Sequence, residues 1–167
     1  MRKRLTAWIG VVLLLLTGCS RKAAPPAAID FLCDAHILYK DIEVGARLTR
    51  TTAGVLTMDI YDPPSLEDLV ITLDGDRVEV EMYGMSFNLN PDKLPVSGLA
   101  KGVLDVLDQV ARSDEPPRLT ENGAVLYGKS QNGEFTLISD PETGDLLSLS
   151  VPDLPLEVTF SSFEQQS

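Results

Sequence analysis

The sequence predicts an α+β domain: a curved antiparallel sheet whose apolar face is covered by one main helix. Three observations lead there. Apolar and polar residues alternate with period two through most of the chain after Ala28, turn signals rich in Gly, Asn, Asp and Pro separate the alternating runs, and one segment switches to helical spacing. Strict alternation gives a sheet one dry face and one wet face, which is the antiparallel habit.

The chain opens with Arg2, Lys3 and Arg4, then runs apolar from Leu5 to Leu16, broken by Thr6 and Gly10. A membrane span needs about 20 apolar residues, whereas a secretory signal core needs about 7–15. Basic residues before such a core hold that end on the cytoplasmic side. Thr17 and Gly18 precede Cys19, and "LTGC" resembles the lipobox of bacterial lipoproteins, L-[AST]-[GA]-C. The resemblance implies a diacylglycerol on the Cys19 sulfur, cleavage just before it, and acylation (palmitate, for example) of the new amine. One acyl chain binds a membrane only marginally, so two or three on Cys19 make a lasting anchor. The expected organisation is a signal peptide over 1–18, a lipidated cysteine with a Pro-bearing tether over 19–28, and a folded domain over 29–164. The expected location is the extracytoplasmic side of the cell membrane, or the outer membrane in a Gram-negative source.

Within the domain, strands are expected near 30–40, 43–51, 54–61, 69–74, 77–83, 85–89, 124–130, 134–139, 146–151 and 156–163. "RVEVEMY" is the clearest, with Val78, Val80 and Met82 on one face and Arg77, Glu79 and Glu81 on the other. "EFTLIS" and "LEVTFSSF" alternate in the same way. Turns are expected at Asp74-Gly75-Asp76, at Asn132-Gly133 and over Asp140–Gly144. Most of these strands, at about 5–8 residues, fall short of the roughly 9–11 a membrane β-barrel needs, so the sheet is expected to be soluble. "VSGLAKGVLDVLDQVARS" repeats apolar residues at Leu99, Val103, Leu107 and Val110, predicting a helix with Ser97 as its N-cap. Gly98 and Gly102 weaken that helix, and a turn of helix is expected near Ser65–Asp68.

The chain carries a formal charge of -11; loss of residues 1–18 removes three basic and no acidic side chains and takes it to -14. Such acidity repels phosphate backbones, which argues against nucleic acid as a partner. Catalytic chemistry is scarce. His36 is the only histidine, and alternation puts it on the face opposite Cys33. Cys33 shares a face with Phe31, Ala35, Ile37 and Tyr39, the setting of a small buried hydrophobe rather than a reactive thiol. No serine stands in a nucleophile elbow, the carboxylate-rich turns lack calcium-loop spacing, and zinc needs three or four ligands from Cys and His, whereas a lipidated Cys19 leaves only Cys33 and His36, on opposite strand faces. No P-loop or dinucleotide fingerprint occurs. The expectation is a protein that is not an enzyme and has no metal or cofactor.

The chain resembles the superfamily of the outer-membrane lipoprotein carrier LolA and its receptor LolB. The resemblance runs from "FLCDAHILYKDIEVGARLTRTTAGVLTMDIYDPPSLEDLVITLDGDRVEVEMYGMSF" through the helix to "YGKSQNGEFTLISDPETGDLLSLSVPDLPLEVTFSSF". It includes the "D-x-x-T-G" turn at Asp140–Gly144 and the closing "V-x-F-x-x-F" at Val158–Phe163. It implies an incomplete β-barrel closed by helical structure, with an apolar cavity that holds acyl chains. Lipidation of Cys19 departs from a soluble shuttle and leaves a receptor, a tethered binder or a scaffold; no exposed apolar loop tip like that of the receptor stands out. The candidate cavity residues are Met58, Val80, Met82, Leu99, Val103, Leu107, Leu137, Val158 and Phe160, between sheet and helix. Two functions stay open: a membrane-anchored binder of lipid or another apolar ligand, and a structural or partner-binding envelope lipoprotein with a solid core.

Overall fold

Eleven antiparallel strands lie side by side in one curved, unclosed sheet in the computed structural model, which describes residues 24–88 and 95–165. The expected signal peptide and Cys19 lie outside the described residues. The strands are β1 (Phe31–Tyr39), β2 (Ile42–Arg50), β3 (Leu56–Asp62), β4 (Leu69–Asp74), β5 (Arg77–Met82), β6 (Met85–Asn88), β7 (Arg118–Thr120), β8 (Gly123–Ser130), β9 (Gly133–Ser139), β10 (Leu146–Val151) and β11 (Leu156–Gln165). Helix α1 spans Pro95–Ala111, and a 3-10 turn occupies Pro64–Leu66.

The order across the sheet is β6-β5-β4-β3-β2-β1-β11-β10-β9-β8-β7. The chain therefore starts in the middle, meanders out to one edge, crosses through α1 to the other edge, and meanders back until β11 pairs with β1. Within each meander consecutive strands pair as antiparallel neighbours, so local turn chemistry can set the register. Between them the two meanders bend around α1, which packs against β4 on one side and β8 on the other.

The alternation decides which face is dry. Phe31, Cys33, Ala35, Ile37 and Tyr39 of β1 are buried, as are Val78 and Val80 of β5, while Glu79, Glu81, Glu134 and Glu157 face solvent. The helix buries Leu99, Ala100, Val103, Leu104, Val106, Leu107 and Val110. Each large aliphatic side chain taken fully out of water contributes about 1.5–3 kcal/mol, so this stripe holds the helix to the sheet. Gly102 marks the closest approach: a side chain there would meet Leu154 Cδ2 at 2.5 Å and Leu156 Cδ2 at 3.1 Å.

Three expectations need correction. The helix begins at Pro95, so Ser97 lies inside its first turn instead of capping it; proline is well placed at a helix start because its missing N–H would have no partner there. The β8–β9 hairpin turns at Gln131-Asn132, since Ser130 pairs with Gly133, and the positive φ of 122° falls on Gly133. Finally, the edge strand β7 was not foreseen; it has three residues, all exposed, paired only with β8 among the described strands.

Candidate ligand-binding groove

A groove lined largely by apolar residues opens where α1 ends. After Ala111 the chain cannot continue as a helix, because Pro116-Pro117 follows closely. It leaves through hydrogen bonds from Arg112 N to Gln109 O (3.3 Å) and from Ser113 N to Val110 O (3.1 Å). Ser113–Pro117 then turns alongside the last helical turn and forms one wall. The opposite wall is the segment before β1: Ala24, Pro26, Ala27 and Ile29. The floor comes from Val110, from Leu126 of β8, and from Leu137 and Ser139 of β9. The groove has a volume of about 370 Å³, inside the roughly 300–1,000 Å³ range of small-molecule sites.

Two contacts hold the N-terminal wall in place. Ala28 N donates to Gly144 O at 2.9 Å. Gly144 has a φ of 83°, and the Pro26 carbonyl lies where its side chain would be, so any other residue would push the wall away. Gly144 is set in turn by Asp140, whose Oδ1 accepts from Glu142 N (2.8 Å) and Thr143 N (2.9 Å); those backbone donors hold the Asp140 carboxyl below its usual range. On the other side Arg50, only 3% exposed, donates from Nη1 to Ile29 O at 2.6 Å and from Nη2 to Asp108 Oδ1 at 2.8 Å. One buried guanidinium thus ties β2, the N-terminal wall and α1 together.

The rim is acidic. Asp114 and Glu115 line it, none of the lining residues is Lys, Arg or His, and the adjacent helix C-terminus carries a partial negative charge. An apolar tail fits the floor, and its head is better uncharged than anionic.

Of the sequence-predicted cavity residues, Leu137 alone lines this groove. Met58, Leu99, Val103 and Leu107 are wholly buried; Val80, Val158 and Phe160 are buried, and all seven belong to one apolar core, with half-buried Met82 packed against it. Sequence reasoning missed Ala27, Ile29, Ala111 and Leu126 as lining residues. It also gave no sign that the β5–β6 hairpin exposes Tyr83, Met85 and Phe87.

Several polar groups elsewhere pair with one another. His36 is exposed, its Nε2 2.7 Å from Glu43 Oε1, beside the Arg47–Asp34 pair at 3.2 Å. Asp105 accepts a 2.6 Å bond from Asn132 Nδ2, linking α1 to the β8–β9 turn, and burial pushes its carboxyl up. Among the described residues no group of three or more His, Cys, Asp or Glu is placed to hold a metal ion. Nor is any described helix long and apolar enough to cross a membrane.

Cys33 is free and buried, and burial, helped by the charge of Asp34, pushes its thiol from 9.0 to about 12. The unfolded chain therefore releases this proton first. Stability should fall as pH rises from about 9 towards 12, by up to about 1.4 kcal/mol per unit. Urea unfolding at about pH 8 and pH 10.5 should show that loss in the parent and less of it in Cys33→Ala. An equal loss in both proteins would contradict the assignment.

No family model matches the chain, and no curated protein matches it. Among solved structures it is similar to a LolA superfamily protein of Nitrosomonas europaea, known from a crystal structure. The two share 12% identity at a TM-score of 0.43, over 87% of this chain and 89% of that one.

Proposed function

We propose that the protein is a lipid-anchored, non-catalytic binder that holds one apolar chain in the groove between its N-terminal wall, the end of α1, and strands β8 and β9. The groove itself carries this reading: an open volume of about 370 Å³ floored largely by the aliphatic side chains of Val110, Leu126 and Leu137. The sequence supports the anchor, because a basic start, a short apolar run and "LTGC" at Leu16–Cys19 meet at one cysteine. The resemblance of the sequence to the lipoprotein carrier and receptor superfamily fits the same function.

Two measurements test it. Membrane fractionation with mass spectrometry should find Cys19 as an acylated N-terminus, and Cys19→Ser should leave an unlipidated precursor; an unmodified Cys19 sinks the anchor. Separately, a chain starting at Ser20 should take up a fluorescent monoacylglycerol in preference to the corresponding fatty acid anion. Ala111→Trp should block uptake without lowering the melting temperature, because Ala111 is exposed at the groove wall. Undiminished uptake by folded Ala111→Trp would move the ligand elsewhere.

One observation favours a second reading, a structural or partner-binding envelope lipoprotein. Leu99, Val103 and Leu107 show no exposure where helix meets sheet, as a solid core requires. In that case the Ser20 chain takes up neither probe.

A further inference from the structure

We propose that the groove opens onto the bilayer that holds the protein and takes one acyl chain of a phospholipid from it while the protein stays anchored. This rests on the proposed anchor at Cys19 and names the source of the ligand. The geometry comes from how close the groove lies to the proposed anchor in sequence: Ala24 is part of the groove wall. Five peptide steps separate it from Cys19, and a fully extended chain covers at most about 18 Å in that length.

The wall is not free to swing the groove away. Ala28 is bonded to Gly144 and Ile29 to Arg50, so the tether must leave from the groove's own mouth. The β1–β2 turn at Lys40-Asp41 stands at the other end of two nine-residue strands, about 30 Å away. A short tether fixed at one end of the molecule holds that end against the membrane. An acyl chain entering from the same bilayer keeps its head at the interface, and a neutral or zwitterionic head suits the Asp114–Glu115 rim better than an anionic one.

The test uses the full lipidated chain in phosphatidylcholine vesicles, with a fluorophore on Arg112→Cys, exposed next to the groove but outside its lining, or, at the far end, on Asp41→Cys. The buried Cys33 thiol stays unlabelled. Phosphatidylcholine carrying a nitroxide near its chain end should remove most of the Arg112→Cys emission and leave that of Asp41→Cys. Adding Ala27→Phe to fill the groove should restore emission at Arg112→Cys.

Quenching by a head-group nitroxide alone would mean that the groove touches the membrane without admitting a chain, and overturns the proposal. So does an apolar emission at Arg112→Cys that no nitroxide quenches and that Cys19→Ser abolishes, since the protein's own acyl chain would then be the occupant. If the Ser20 chain takes up monoacylglycerol while anchored protein shows no chain-end quenching, the binding function stands and only the bilayer source falls.

Discussion

Arg50→Met should destabilise the domain by about 3–5 kcal/mol, the usual result of breaking a buried ion pair from one side. The guanidinium is 3% exposed, and its two bonded partners are the Ile29 carbonyl and Asp108. Methionine fills a similar volume, so the loss is electrostatic rather than a cavity. Asp108 is 29% exposed and keeps a second, weaker partner in Arg112 at 3.4 Å, which pulls the cost towards the lower end. Against a typical domain stability of about 5–15 kcal/mol this is a large fraction. Loss of the Ile29 bond also loosens the groove's N-terminal wall, so ligand uptake should weaken before the domain unfolds. Arg50→Met combined with Asp108→Leu should recover most of the stability, because an apolar pair of similar volume needs no countercharge. Guanidinium unfolding of the three proteins decides it; a single variant within 1 kcal/mol of the parent would show that Arg50 is not the tie described here.

Much of this was legible in the sequence, and the exceptions have physical reasons. Alternation places Val44, Ala46 and Leu48 of β2 on the dry face, and the same rhythm puts Arg50 there too, buried as found. An arginine in step with a dry face calls for a buried counter-ion, but nothing in the sequence singles out Asp108 among the 25 acidic residues; the structure supplies it. Strand β7 was invisible because three residues are too few to show a period, and Pro116-Pro117 just before it reads as a break. The helix start misled because Ser97 has capping chemistry, while Pro95 can open a helix without it. The groove was hidden for another reason. Its walls join the Pro-bearing segment before β1, the end of α1 and strands β8 and β9, which are far apart in sequence and meet only through topology. Pattern within one segment shows which residues are dry; it does not show which dry surfaces lack a neighbour.

Two substitutions on the same face of α1 measure whether the helix–sheet interior is full. Val103 and Leu107 are both wholly buried, one turn apart on the same stripe. Val103→Trp adds volume, and in a close-packed interior it forces side chains off their rotamers at a cost of about 1–3 kcal/mol. Leu107→Ala removes volume and should cost about 2–5 kcal/mol, from lost transfer energy plus the cavity left behind. A hollow interior predicts the opposite pattern: tryptophan would fill the space with little penalty, and alanine would only enlarge a void already present. The surroundings favour the packed case, since Met58, Ile60 and Ile71 are each at most 1% exposed in the same core. Gly102 points the same way, as there is no room for even one carbon between the helix and Leu154. Both variants should therefore unfold at lower urea than the parent, with Leu107→Ala losing more, while neither changes uptake of a probe that sits in the groove beyond Val110. If Val103→Trp keeps full stability and abolishes uptake, the ligand lies under the helix, and the groove at its end is only the entrance.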